Sequence, residues 1–306
     1  MTRRPTLQST LILRYVVASL FLLIISGSAK SFADSVSSPA PQPSSPNAFR
    51  DKWALVVGVS KFAQGIESLP GAAKDATDFA QFLTKDCDFN ADHVKLLTDD
   101  QATRAGILAE LGNKWLPTVA SPEDLVVVYI STAGTAAGSD GAGLNYLCAY
   151  DTMPDKLFST GIDAASLYQS IQQRCHAHRV ILIVDASYSG GAAAEGSSAA
   201  RAHSKMQDWG GAGRAILCSS QPNQRSYECK TKSNSAFTYQ FMQAARQLGK
   251  KASLKETFDA AAANVATEVS AERQATQTPV ASFSGDAGQL QIAAPGAPKG
   301  SETQSN

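Results

Sequence analysis

Short apolar runs alternate with helical segments along most of this chain, and that alternation restricts the fold more than any other feature. Five runs are rich in Val, Ile and Leu, as strands buried on both faces of a sheet are. They are residues 53–59, 94–97, 125–130, 180–184 and 215–217. Strands that alternate with helices form crossover units. The pattern therefore predicts an α/β domain with a mostly parallel sheet flanked by helices on both faces.

Five amphipathic helices are predicted between and after these strands, because apolar residues recur there at helical spacing. Thr103 and Asp163 are placed to begin the second and third helices, and Ser253 with Glu256 matches a capping box at the start of the fifth. The predicted buried faces, in chain order, are Ala72, Ala76, Phe79 and Leu83; Ile107, Leu111 and Trp115; Leu167 and Ile171; Phe237, Phe241, Ala245 and Leu248; and Leu254, Phe258, Val265 and Val269.

Residues 1–33 have the pattern of an export signal. Arg3 and Arg4 precede a short apolar run over 15–25, and small residues occupy both key positions of 31–33. The alternative is a membrane anchor, but Arg14 leaves the apolar run shorter than the roughly 20 residues that a bilayer core requires. We expect cleavage after Ala33 and a periplasmic or secreted protein without a membrane span.

Composition delimits the folded part and its partners. Residues 34–50 form a Ser- and Pro-rich linker, 51–294 the folded domain, and 295–306 a disordered tail. Lys plus Arg number 27 and Asp plus Glu number 27, so no net charge attracts nucleic acid, and no nucleic-acid partner is expected.

Cysteine and histidine usage predicts neither disulfides nor a metal centre. Five cysteines at irregular spacing give no disulfide framework, and most are expected to be buried apolar residues. The Cys-His-Ala-His segment at 175–178 has ligand-type side chains, but no second cluster completes a four-ligand set, so it is interpreted as a surface turn. No metal and no cofactor are expected.

Two strand ends are the candidate site, because ligands bind beyond the carboxyl ends of parallel strands. The third strand is followed by Ser-Thr-Ala-Gly-Thr at 131–135, and the fourth by Asp-Ala-Ser-Tyr-Ser-Gly-Gly at 185–191. These segments, in this order, resemble the caspase and metacaspase family of cysteine peptidases, in which one strand ends in Ser-Gly-His-Gly and a later one in Asp-x-Cys-x-Ser-Gly. The flanking segments 53–59, 69–76 and 216–224 also resemble the family.

The resemblance assigns the family's catalytic His to Ala133 and its catalytic Cys to Ser187. In the family, a thiolate attacks a peptide carbonyl while the His accepts and returns a proton. Ala133 has no titratable atom, and a serine hydroxyl without a base is a poor nucleophile at neutral pH. Loss of such groups typically reduces turnover by about 10⁶-fold. The resemblance thus implies a peptidase frame in which neither catalytic group is intact.

Other parts of the family's site are retained. The backbone amides of Gly134, Ser187 and Tyr188 are expected to form an anion or oxyanion pocket, since that depends on the turn and not on side chains. Asp185 matches an acidic residue that, in metacaspase-like members, helps to bind a basic side chain of the substrate. The alternative is that Asp185 only satisfies nearby loop amides, and the sequence does not decide between the two.

The resemblance also divides the domain into a large-subunit part over 51–190, a loop over 190–213 and a small-subunit part over 214–294. In metacaspase-like members this loop is cut after basic residues, which here would be Arg201, Lys205 or Arg214. His203, in the same loop, is the one histidine that can approach Ser187; the alternative is that it is a solvated loop residue.

Three hypotheses follow for function. The first is a non-catalytic module that binds a peptide or protein partner, with basic side chains, in the retained groove. The second is a weak hydrolase that cleaves after Arg or Lys through Ser187. The third is an active enzyme altered by experimenters, since Cys→Ser with His→Ala is the change that would silence it.

Overall fold

Six strands form the central sheet of the protein, in the order β2-β1-β3-β6-β7-β8. The computed structural model describes residues 45–141, 143–192 and 213–294. The first five strands are parallel to one another and β8 is antiparallel to β7; a separate two-stranded antiparallel sheet pairs β4 with β5. The strands are β1 (Lys52–Gly58), β2 (Val94–Thr98), β3 (Leu125–Ser131), β4 (Tyr146–Leu147), β5 (Ile162–Asp163), β6 (Arg179–Asp185), β7 (Arg214–Cys218) and β8 (Val280–Ser284).

Seven α-helices lie in the described residues, and three begin at the predicted capping residues. The Thr103 side chain accepts a hydrogen bond from the Gly106 amide, Asp163 accepts from two amides of its first turn, and Ser253 forms a complete capping box. The helices are α1 (Ala72–Lys85), α2 (Arg104–Ala109), α3 (Leu116–Val119), α4 (Leu157–Thr160), α5 (Ala164–Arg174), α6 (Ala236–Leu248) and α7 (Leu254–Arg273), with a π-helical turn (Glu110–Lys114) between α2 and α3.

Each face of the sheet has its own hydrophobic core, because alternate residues of a strand point to opposite sides. In β1, Ala54 and Val56 pack with α1, α6 and α7, whereas Leu55 and Val57 pack with α2, α3 and α5. The predicted α/β fold with helices on both faces of a mostly parallel sheet is therefore confirmed.

The predicted helix faces are largely buried, with one clear exception. Leu248 is 48% exposed, although the periodicity assigned it to the same face as Phe237, Phe241 and Ala245. It is the last residue of α6, and Gly249 follows with a φ of 81° that ends the helix. The final turn extends past the core, so the prediction for Leu248 is wrong.

The domain begins earlier than composition suggested. Phe49, assigned to the Ser- and Pro-rich linker, is 1% exposed and belongs to the core on the α1 side. The Asn47 side chain donates to the Gln289 carbonyl at 3.1 Å and accepts from the Gln291 amide at 2.7 Å. The Arg50 guanidinium donates to both carboxylate oxygens of Asp124, each at 3.1 Å. Residues 47–50 therefore form an ordered segment, the N-terminal arm.

All five cysteines are buried free thiols, as the sequence indicated for most of them. In the turn at 175–178, His176 and His178 are exposed while Cys175 and Ala177 are buried. Among the described residues, no helix is both long and apolar enough to cross a membrane. The proposed signal segment, most of the linker and the C-terminal tail lie outside the described residues.

Candidate functional site

The carboxyl ends of β3 and β6 lie side by side, as the sequence predicts. The last residues of the two strands, Ser131 and Asp185, are paired in the parallel ladder, and the Thr132 amide donates to the Asp185 carbonyl at 3.1 Å. The segments that continue from these strands are therefore adjacent, which brings Ala133 and Gly134 to Ala186 and Ser187.

Glycine is required at position 134 because of how closely the two segments approach. A Cβ atom on Gly134 would lie 2.0 Å from the carbonyl oxygen of Ser187, well inside van der Waals contact. Tyr188, the next residue, has a φ of 62°, a left-handed conformation that is uncommon for a bulky residue. The turn after β6 thus has a constrained backbone that is fitted to Gly134.

The amides of this turn have different roles. The Tyr188 amide donates to the Gln224 carbonyl at 2.8 Å, so the expectation that it contributes to an anion pocket is wrong. Neither the Ser187 amide nor the Gly134 amide donates to another group of the described chain. The Ser187 hydroxyl oxygen accepts from the Ser226 amide at 3.1 Å. Two of the three expected amides remain open to a ligand.

A cavity of about 480 Å³ opens over these strand ends. It brings together every predicted pocket residue, Gly134, Asp185, Ser187 and Tyr188, with Ala133. Two further segments, which the sequence analysis did not assign to the site, complete the wall: 66–70, before α1, and 225–228, after β7. Their presence at the site could not be predicted from the sequence, because the order of strands in the sheet brings these loops to its carboxyl edge.

Asp185 is almost fully buried in the wall of this cavity, at 3% exposed. Its Oδ1 accepts from the Ser226 hydroxyl at 2.9 Å. Its Oδ2 accepts from the Thr238 hydroxyl at 2.6 Å and from the Ser235 hydroxyl. Asp185 therefore links β6 to α6 and places an acidic side chain in the wall.

Asp75 is a second acidic residue of the wall, which sequence analysis missed. It is 1% exposed, accepts from the Ser235 amide at 3.0 Å, and lies 3.3 Å from the Ser131 hydroxyl. Burial, followed by the nearby charge of Asp185, raises its pKa well above its usual range. The signal was present in the sequence, because Asp75 lies on the apolar face of α1 beside Ala72 and Phe79, where an acidic residue is unusual.

Three comparisons place this geometry among known proteins. A family model described as the caspase domain matches residues 51–287. The chain belongs to the caspase-domain family. The crystal structure of protein GSU0716 from Geobacter sulfurreducens superposes with a TM-score of 0.56 and 17% identity, over 80% of this chain and 99% of that chain. The crystal structure of caspase-1 from Spodoptera frugiperda superposes with a TM-score of 0.57 and 14% identity, over 83% of this chain and 94% of that chain. No curated protein sequence matches this chain significantly.

The described histidines of this caspase domain lie away from the cavity. His93 precedes β2 and is 2.9 Å from the Asp51 carboxylate, at the amino end of the sheet. His176 and His178 precede β6, also at the amino end. His203 lies outside the described residues. No imidazole among the described residues is placed to act as a base for Ser187.

The proposed processing residues fall in two places. Arg201 and Lys205 lie outside the described residues. Arg214 is not a loop residue: it is the first residue of β7, and its guanidinium donates to the Ala177 carbonyl at 3.0 Å. Its backbone pairs with Val180 on one side and Ser284 on the other. A protease would have to unpair β7 to cut after Arg214, so the expectation of cleavage there is wrong.

Proposed function

We propose that this caspase-domain protein is a non-catalytic module that holds a basic side chain of a peptide or protein partner in the cavity at the carboxyl ends of β3 and β6. The observation that carries the proposal is the composition of the cavity wall. The motif resemblance assigns the family's His and Cys to Ala133 and Ser187, both of which line the cavity, and Asp75 and Asp185 are acidic residues of its deep wall.

The absence of a base argues against turnover. The Ser187 hydroxyl oxygen accepts from the Ser226 amide, but no described residue accepts its proton. Ala133 cannot take the proton. The carboxylate of Asp185 accepts from the hydroxyls of Ser226, Ser235 and Thr238, and not from that of Ser187. A cavity in which no described residue accepts the Ser187 proton supports binding rather than cleavage.

Charge supports a basic ligand. Four acidic residues and one arginine line the cavity; they are Glu67, Asp75, Asp185, Glu228 and Arg225. Glu228 also accepts from the Gly71 amide at 2.9 Å. A guanidinium or ammonium group entering an acidic, partly buried cavity gains charge-assisted hydrogen bonds, which are stronger than neutral ones.

The binding proposal is tested with labelled peptides that differ at one position, Arg, Lys, Gln or Asp, and fluorescence anisotropy as the measurement. Peptides with Arg and Lys should bind, and Asp185→Asn should weaken them by about 10- to 100-fold, the range of a hydrogen bond to a charged group. Asp259→Asn is the matched control, because Asp259 is an exposed carboxylate of α7 that pairs with Lys255 and does not line the cavity. Equal binding of all four peptides would refute the proposal.

The second candidate is a weak hydrolase that cleaves after Arg or Lys through Ser187. The open amides of Gly134 and Ser187 favour it, because two N–H donors can stabilise an oxyanion. Fluorogenic amides with Arg, Lys or Asp before the scissile bond separate the candidates. Cleavage after Arg or Lys that disappears in Ser187→Ala would establish the hydrolase and overturn the non-catalytic proposal.

We also propose that the mature protein is exported. The argument is the signal pattern over residues 1–33. The purified native protein should begin at Asp34 and be recovered outside the cytoplasm. A native N-terminus at Met1 would contradict this proposal and leave the proposal for the cavity unaffected.

A further inference from the structure

Two carboxylates share one neighbour in the deep wall of the cavity. The Ser235 amide donates to Asp75 Oδ1 at 3.0 Å, and the Ser235 hydroxyl donates to Asp185 Oδ2. Both acidic residues line the cavity although they are almost fully buried. Two buried carboxylates in one site repel each other when both are ionised.

The two carboxylates have unequal partners. Asp185 accepts from three hydroxyls. Asp75 accepts from the Ser235 amide, the side chains of Asn234 and Ser235 also donate to it, and the Ser131 hydroxyl lies 3.3 Å from its Oδ2. A hydroxyl can accept as well as donate, so the Ser131 oxygen provides an acceptor for a proton on Asp75. Burial and the charge of Asp185 raise the pKa of Asp75, which locates the proton on this residue.

Within the described ranges, no basic side chain pairs with either carboxylate. Each element around them contributes titratable or charged groups: Lys74 and Asp78 from α1, Tyr129 from β3, Glu67 from the loop before α1, and Arg225 and Glu228 from the loop after β7. Lys74 pairs with Asp78 at 2.5 Å, and Arg225 is exposed. Tyr129 stays neutral, since burial raises its pKa.

We propose that Asp75 and Asp185 together hold one proton while the cavity is empty, and that a bound guanidinium or ammonium group expels it. The proton leaves Asp75 Oδ2 for the solvent, and the cation takes its place beside two ionised carboxylates. This inference rests on the proposed function, because it concerns the same ligand class. It adds that binding is coupled to pH.

The coupling has a definite sign. Below the pH at which Asp75 titrates in the empty protein, each cation must displace a proton, so affinity rises with pH by up to about tenfold per unit. Above that pH the proton has already left, and affinity no longer changes. A neutral ligand of the same shape displaces no proton and shows no such rise.

Calorimetry with the full mature chain tests the coupling, with Nα-acetyl-arginine amide as the probe and its citrulline analogue as the neutral control. Titrations at a pH below the Asp75 midpoint, in two buffers of different ionisation enthalpy, should show release of about one proton per arginine bound. Asp75→Asn should bind arginine without proton release and with an affinity that is flat between pH 5 and 8. Asp259→Asn, which changes an exposed carboxylate of α7 outside the cavity wall, should behave as the unmodified protein.

The outcomes separate the two proposals. Arginine binding without proton release in the unmodified protein overturns the coupling and leaves the proposed function standing. Absence of arginine binding at every pH overturns the proposed function.

A ¹³C NMR titration of the Asp75 carboxyl carbon tests the shared proton without any ligand. The midpoint should lie well above the ordinary value of about 3.9, and an ordinary midpoint refutes the inference. Asp75→Asn should fold, because it keeps an acceptor for the Ser235 amide and removes a group whose ionisation is unfavourable in the folded state; circular dichroism verifies this.

Discussion

The two ends of the central sheet bury opposite charges and treat them differently. At the carboxyl end, Asp185 accepts from hydroxyls, Asp75 accepts from a backbone amide, and both face an open cavity. At the amino end, the buried ammonium of Lys52 donates to the carbonyls of Cys87 and Ala294, and the arm residue Phe49 fills the space below the Arg179 guanidinium. One end of the sheet is left open to a ligand, whereas the other is closed by the chain itself.

This difference separates binding from stability. Charges that face a cavity gain from a mobile partner of opposite sign, whereas the Lys52 ammonium, which donates to two carbonyls, already has its partners. Changes at the carboxyl end should therefore alter what the protein binds or cleaves, and the largest losses of stability should come from changes at the amino end.

Restoring the family's catalytic pair should have the largest effect. Ala133→His with Ser187→Cys should give cleavage after Arg or Lys at least about 10³-fold above background, because nucleophile and base act as a unit. Each single variant serves as the control and should remain near background. Hydrolysis of fluorogenic peptide amides is the measurement, and a folded double variant that stays inactive would show that the carboxyl end lacks a competent frame.

Truncating Phe49 should reveal the structural role of the amino end. Phe49→Ala removes a fully buried ring and should lower the free energy of unfolding by about 3–5 kcal/mol in urea. Phe158→Ala is the matched control, since Phe158 is 81% exposed and should change stability by less than about 0.5 kcal/mol. A Phe49 variant as stable as the control would contradict the assignment of the arm to the fold.

Removing the Thr238 hydroxyl, which contacts both Asp185 and Tyr129, should lower stability by less than truncating Phe49. Thr238→Val removes one of the three hydroxyl donors to Asp185 and leaves the Tyr129 hydroxyl, 2.5 Å from the Thr238 oxygen, with Ser131 as its remaining partner. The expected loss is about 1–3 kcal/mol. Tyr129→Phe leaves Asp185 with its donors and should cost less, about 1 kcal/mol. If the two variants lose the same stability in urea, the contact with Asp185 contributes nothing of its own.

The smallest expected effect is a dependence of stability on pH. Burial lowers the pKa of Lys52 to about 8 from 10.5, so between these values the unfolded chain binds more protons than the folded one. The contribution of Lys52 to stability therefore rises as pH increases from 8 to 10.5. Urea unfolding at pH 7.5 and 9.5 should show this rise relative to Lys52→Met, and an identical pH dependence in both proteins would contradict it.

Sequence patterns predicted the five parallel strands of the central sheet, because parallel strands buried on both faces are continuous apolar runs; the antiparallel β8 was not among the predicted runs. The structure extends the run at 180–184 by one residue at each end, to Arg179–Asp185, since charged residues can end a buried strand. The two-residue strands β4 and β5 carry too few residues for any period to be visible. The π-helical turn over Glu110–Lys114 was hidden for a different reason, because its residues continue the helical spacing of α2.

Sequence analysis predicted the site residues that lie in recognisable motifs. It missed those contributed by segments that are distant in sequence. Gly134, Asp185 and Ser187 follow strand ends that are recognisable in the sequence, and all line the cavity. Asp75 was missed because the helical pattern around it indicated only a buried face. Phe49 was assigned to a linker because its neighbours are Ser and Pro, while its burial depends on contacts with residues more than 200 positions away.

The contacts of the N-terminal arm also constrain the order in which the chain can fold. Asn47 bonds to Gln289 across 242 positions, and Lys52 to Ala294 across the same separation. During synthesis, which proceeds from the N-terminus, these early residues emerge long before their partners exist. The amino end of the sheet therefore closes only after nearly the whole chain has left the ribosome.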